Sequence, residues 1–219
     1  MNTSSLVASS FLFRLSITCR YTELRWKKIG VDLGPEFTIP SFRAELDAGP
    51  LFAELRMGWN EDGLLIWMRT NDKKQAPWCR ENRLEDSDGL NIWIDTRNTQ
   101  NIHRASRFCH RFVFLPQGAG RLLDEPVCTL LAINRAKEHA KPVPPKTLKL
   151  LTEKRHDGYV LKAHIPAEAM TGWEPNEHPR LGFFYAVTDR ELGWQTFSLG
   201  PEMPFASDPS LWGTLESAY

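Results

Sequence analysis

The chain lacks the patterns that announce the commonest catalytic and cofactor chemistries. The phosphate-cradling Walker motif, the GxGxxG dinucleotide fingerprint, the GxSxG nucleophile elbow and the HExxH zinc helix are all absent. Its four cysteines, Cys19, Cys79, Cys109 and Cys128, form no CxxC pair, which excludes a standard zinc motif and a disulfide framework. No charge sign is in excess: Lys+Arg and Asp+Glu both total 27, which argues against a globally basic nucleic-acid binder. No run of 18 apolar residues is present, so no transmembrane helix is expected. No long 3.6-residue periodicity, internal repeat or low-complexity tract appears, so bundles, solenoids and disorder are set aside.

What the chain has is tryptophan, with eight residues among 219, and short alternating apolar runs. Such runs, separated by turn residues, predict an all-β sandwich or jelly roll with one or two short helical turns. Phe11, Phe13, Leu15 and Ile17 alternate with other residues, predicting a first strand over 10–21. Apolar runs on either side of Asn60–Gly63 predict a hairpin, because glycine supplies positive φ in tight turns. Residues 73–86 read as a polar loop. Residues 89–95 read as a strand with Leu90, Ile92 and Ile94 on one face and Asn91, Trp93 and Asp95 on the other. A strand over 108–115 ends in a turn at 116–120, and a short strand is expected around 129–133. The three prolines Pro142, Pro144 and Pro145 mark a surface loop. Asp157-Gly158 predicts a second hairpin, and Pro166 opens a short helical turn. Strands over 181–188, 194–199 and 211–216 complete the sheet. The expectation is one domain over 1–219, with a core of about 50–216 and an N-terminal strand extension over 1–49.

Two segments carry the most specific pattern. Gly63-Leu64-Leu65-Ile66-Trp67-Met68-Arg69 precedes a polar loop containing Trp78, and Asp86-Ser87-Asp88-Gly89-Leu90-Asn91-Ile92-Trp93-Ile94-Asp95 follows. Later come 158–166 with its helical turn, 181–189 and Trp212-Gly213-Thr214-Leu215-Glu216. This order resembles family 9 carbohydrate-binding modules and the wider DOMON-like superfamily. The resemblance implies a β-sandwich that binds sugar without chemistry, holding a glycan end between two tryptophans. It implies Trp78 as the first aromatic. Asn91 stands where the family has a strand glutamate, and Arg111 stands where it has a sugar-binding arginine. Trp194 is the nearest counterpart of the second tryptophan, although the segment expected to carry it reads Ser198-Leu199-Gly200. A sugar pocket combines flat apolar walls with few convergent polar groups, which suits these four residue types.

Other constellations have plainer readings. Residues 97–111 hold Arg97, His103, Arg104, Arg107, His110 and Arg111 and no acid. They could receive an anionic ligand, or pair with Glu81, Glu85, Asp86 and Asp88. Cys79, His103, Cys109 and His110 have metal-ligating atoms at no standard spacing. Asp189 and Glu191 could serve as paired carboxylates of a hydrolase, against a reading as hairpin charges that are solvated or salt-bridged to Arg190. Calcium is an alternative through Asp86, Asp88 and Asp95, without the spacing of a calcium loop. A haem would need Met57, Met68 or His110 as axial ligands, and no spacing selects them. The expectation is therefore a non-catalytic binder of a neutral or acidic sugar, with no cofactor, no membrane and no nucleic-acid partner. The alternative is an interaction domain that keeps the fold and has lost the sugar site. No basic segment precedes the first apolar residues, so an export signal is weakly indicated and a cytoplasmic location is the default, with an extracellular one left open.

Overall fold

The computed structural model describes residues 9–219. Among the described residues there are twelve strands: β1 (Ser16–Tyr21), β2 (Thr38–Ile39), β3 (Ala53–Asn60), β4 (Gly63–Thr70), β5 (Gly89–Asp95), β6 (Cys109–Ala119), β7 (Glu125–Leu130), β8 (Lys149–Arg155), β9 (Gly158–Pro166), β10 (Arg180–Asp189), β11 (Gly193–Thr196) and β12 (Gly213–Ala218). Hydrogen bonding orders them β7-β6-β5-β10-β12-β1-β3-β4-β9-β8, with β11 added to β10 and β2 to β3. The two ends of this path, β7 and β8, approach one another, so the sheet folds into a nearly closed sandwich.

Alternation decides what lies between the layers. Leu90, Ile92 and Ile94 of β5 stand opposite Phe114, Phe112 and His110 of β6 and Val187, Tyr185 and Phe183 of β10. Apart from His110, these side chains meet Leu55, Met57, Ile66, Met68 and Leu161 from the other half in one core. Burying an aliphatic or aromatic side chain stabilises by about 1.5–3 kcal/mol, so this layer supplies most of the driving force. Gln195 locks the halves, accepting from the Phe52 and Ala53 amides at 2.7 Å and donating to the Ala53 carbonyl at 2.7 Å.

The hairpins at 60–63 and 155–158 form where the sequence predicts them, as does the helical turn after Pro166 (Ala167–Ala169). Four expectations need correction. The first strand begins only at Ser16, where pairing with Thr214 starts. Before it, Ser9–Leu12 is a 3-10 turn, and Phe11, Leu12 and Phe13 are exposed whatever their parity. The expected turn at 116–120 is strand: β6 runs on through Pro116 at a bulge, where a missing N–H is tolerated. The strand expected around 129–133 lies earlier, as β7, because Val127 registers with Leu115. The strand expected over 194–199 ends at Thr196, whose hydroxyl donates to the Leu199 carbonyl at 2.7 Å.

The N-terminal extension holds more than a strand. β1 lies parallel to both β12 and β3, in the middle of the sheet order. A short helix α1 (Phe42–Asp47), which no periodicity signals, starts at Ser41, whose hydroxyl accepts the Ala44 amide at 3.2 Å. Part of the export-signal reading falls on residues 1–8, outside the described residues. Among the described residues no helix is long and apolar enough to cross a membrane.

Candidate functional site

The outer face of β5, β6, β10 and β11 carries the candidate residues. Residues directly opposite in an antiparallel pair share a face. Gly89 opposes Thr188, which opposes Trp194; Asn91 opposes Ala186; Trp93 opposes Arg111. Asn91, Arg111 and Trp194 therefore project on one side of the sheet, where Asn91 and Arg111 are buried and Trp194 packs against the core. Arg111 is diagonal to Asn91, and its Nε and one terminal nitrogen donate to Asn91 Oδ1 at 3.2 and 3.0 Å. Its other terminal nitrogen donates to Glu85 Oε1 at 2.8 Å. Burial pulls the Arg111 guanidinium below its ordinary pKa, opposed by Glu85. Its Cζ lies 5.1 Å from the Trp93 ring centroid. Asn91 is buried, and its amide nitrogen makes no hydrogen bond among the described residues.

Aromatic packing supports one side of this face. Trp194 meets Phe205 edge-on at 6.5 Å, and Phe205 stacks on Phe184 at 4.3 Å and meets Trp93 at 5.6 Å. Trp194 remains half-buried. Trp78 arrives from the loop and is fixed at the edge of β5 by two bonds. Its amide donates to Asp88 Oδ2 at 3.0 Å, and its carbonyl accepts the Asp88 amide at 2.9 Å. Asp88 Oδ1 also accepts the Arg190 amide at 2.9 Å. The Arg190 guanidinium covers the Trp78 ring, with Cζ 3.4 Å from its centroid.

A buried ion cluster holds this loop. Lys73 Nζ lies 2.8 Å from Asp189 Oδ2, 3.2 Å from Asp88 Oδ2 and 3.8 Å from Glu191 Oε2. Burial alone would lower the lysine pKa; Asp189 and Asp88 outweigh it and raise it. Glu191 also accepts the Lys74 and Gln75 amides at 3.1 and 2.8 Å, which holds its carboxyl below the usual range. Asp189 and Glu191 thus clasp the loop and do not face each other across a cleft as hydrolase carboxylates would. The carboxylates are salt-bridged, but to Lys73 and not to Arg190 as expected. Glu85 is among the acids expected to pair with the basic stretch, and it does so with Arg111; sequence reasoning missed Lys73 and Phe205, each in an irregular segment where no periodicity says which way a side chain points.

The remaining constellations are dispersed. Cys79 is buried with Val113 and Leu115, Cys109 lies in the main core, and His103 is exposed beside Asp208. His110 Nε2 accepts the Thr171 amide at 2.9 Å, and burial lowers its pKa to about 4. Met57 and Met68 are buried in the core. Asp86 pairs with Arg83, Asp88 serves the clasp, and Asp95 accepts the Arg97 and Thr99 amides at 3.0 and 2.7 Å, so the three carboxylates are not gathered around one point. The basic stretch is partly neutralised, Arg97 by Glu174 and Arg111 by Glu85. His103 Nδ1 lies 3.1 Å from both Asp208 and Ser210, and the Ser210 hydroxyl donates to Asp208 Oδ1 at 2.6 Å. Serine and aspartate share one ring nitrogen, so no Ser–His–Asp relay is assembled. A cleft of about 190 Å³ lies between residues 73–77 and the β8–β9 hairpin; none of the four candidate side chains lines it.

No family model matches the chain, and no curated protein matches it by sequence. Solved structures do match. A family 9 carbohydrate-binding module from Caldicellulosiruptor kristjanssonii, solved with glucose, superposes with a TM-score of 0.62 at 12% identity, covering 93% of this chain and 96% of that one. The same organism's module with cellotriose gives 0.60 at 12% identity, covering 93% of each chain. A protein from Bacteroides uniformis, described provisionally as carbohydrate-binding, gives 0.54 at 12% identity, covering 93% of this chain and 99% of that one. The fold is that of a family 9 carbohydrate-binding module.

Proposed function

We propose that the chain is a non-catalytic carbohydrate-binding module whose site is the outer face of β5, β6, β10 and β11. The observation that carries this reading is the register, which brings Asn91, Arg111 and Trp194 to one face with Trp78 fixed at its edge. Two structures of this fold hold cellotriose and glucose. Neighbouring strands stand about 4.8 Å apart. The backbones of Trp194 on β11 and of the Trp78 anchor beside β5 therefore lie two strand spacings apart, roughly 10 Å. Trp194 offers a flat wall to the ring's C–H face, and the Asn91 amide and Arg111 guanidinium offer donors to its hydroxyls.

Calorimetric titration with glucose and cellotriose tests this. Saturable binding is expected, weakened about tenfold or more by Trp194→Ala or Asn91→Ala, since a central contact is worth more than about 1 kcal/mol. A second reading is favoured by the internal satisfaction of Arg111, whose Nε and both terminal nitrogens already donate to Asn91 and Glu85. In that reading the fold serves protein interaction and the sugar site is closed. Folded protein that binds neither these sugars nor acidic sugars would favour it over the first.

A further inference from the structure

The surroundings of Trp78 carry a charge that a neutral sugar does not need. Three arginines converge on its ring: Arg190 Cζ at 3.4 Å, Arg80 Cζ at 5.2 Å and Arg83 Cζ at 5.5 Å from the centroid. Arg83 is neutralised by Asp86 at 2.6 Å. The Arg80 guanidinium donates to the carbonyl of Cys79 at 2.7 Å and has no carboxylate partner among the described residues. Arg190 is exposed and has no carboxylate partner among the described residues. That is unexpected for an arginine flanked by Asp189 and Glu191. Both neighbours turn inward to Lys73, and Glu191 is also occupied by two backbone amides. The clasp takes both adjacent negative charges and leaves the arginine facing outward.

Contact at 3.4 Å is the thickness of two flat groups, so the guanidinium lies on the indole face. Stacking uses the π faces and leaves the in-plane N–H donors at the guanidinium edge. Such a fork matches a carboxylate or sulfate bidentately, and the aromatic beneath limits its freedom before a ligand arrives. We infer that Arg190, held on Trp78, receives an anionic substituent of the bound sugar, so that the module prefers acidic over neutral sugars. The inference rests on the proposed sugar site and specifies its ligand class. The acidic group meets Arg190, with Arg80 adding unpaired positive charge nearby, while the ring lies toward Trp194.

The matched probes are methyl β-glucoside, methyl β-glucuronide and glucose 6-sulfate, titrated into the full chain, its Arg190→Ala variant and its Arg190→Lys variant. Arg190 is exposed, so its removal leaves the core intact. The expected result is that the glucuronide binds about tenfold or more tighter than the glucoside at low salt, the gain of a charge-assisted bond. The preference should vanish in Arg190→Ala and be partly kept in Arg190→Lys, which has the charge without the fork. It should also shrink at about 1 M salt, where the Debye length is about 3 Å. Preference for the sulfate over the glucuronide would identify the anion as sulfate-like. Equal affinity for charged and neutral sugars, or a preference that survives Arg190→Ala, overturns the inference and leaves the module standing. Tighter binding of all three sugars by Arg190→Ala also overturns it, because the arginine would then be a cover. Absence of binding by any probe, with glucose and cellotriose also unbound, overturns the sugar site itself.

Discussion

Lys73 has one ammonium for three carboxylates, and two of those, Asp88 and Asp189, are as buried as it is. A buried charge without its partner is more costly than the pair, because desolvation is no longer offset. Lys73→Met would leave two carboxylates stranded. Its expected cost is about 3–5 kcal/mol, read as a lowered midpoint in urea unfolding. Asp189→Asn added to Lys73→Met should recover part of that loss. A cost below about 1 kcal/mol would show that solvent reaches the cluster. The same residues show what the sequence could disclose at this scale. Parity within β5 puts Asn91 and Asp95 on one face, and that much is legible from alternation. The diagonal bond from Arg111 to Asn91 is not, since it depends on cross-strand register. Nor is the clasp, whose lysine lies 116 residues from Asp189 in sequence.

At the scale of elements, turn chemistry is the most readable layer, and the hairpin between β3 and β4 shows why. Gly63 has φ +131°, and a Cβ there would run into the Ile165 carbonyl of β9. The turn and the next strand's approach both demand glycine. Gly63→Ala should therefore cost about 1–3 kcal/mol, the range of local backbone strain, well above the change at an unstrained loop glycine. For a chain of this length that is a melting-point drop of roughly 2–12 °C, measurable by calorimetry; an unchanged melting point would mean that β9 yields. Elements set by long-range partners were the ones misread. Residues 10–15 alternate as well as 16–21 do, but only the latter have β12 and β3 beside them. Pro116 looks like a terminator, and a bulge in β6 lets the strand pass it. Propensity proposes a strand, and a neighbour with free backbone groups decides it.

The whole molecule depends on β1, since the order β10-β12-β1-β3-β4 makes it the link between the two halves of the sheet. The N-terminal segment is then part of the fold's frame, and the expectation of one cooperative unit over the chain can be tested with the protein's own thiols. Cys19 lies in the link strand β1, Cys109 in β6 within one of the halves it joins, and Cys79 beside Val113 and Leu115; all three are buried. Burial pushes each of these thiols up to about 12, so neither access nor ionisation permits reaction while the fold is closed. Cys128 on β7 is half-buried and should react first with a thiol reagent. If the sheet opens as one body, Cys19, Cys79 and Cys109 will label at a common rate set by global unfolding, and a mild denaturant will accelerate all three alike. Site-resolved mass spectrometry reads this directly. Labelling of Cys109 well ahead of Cys19 would show that β5, β6 and β10 open without β1. The candidate face would then belong to the less stable half, and ligand binding should slow Cys109 more than Cys19.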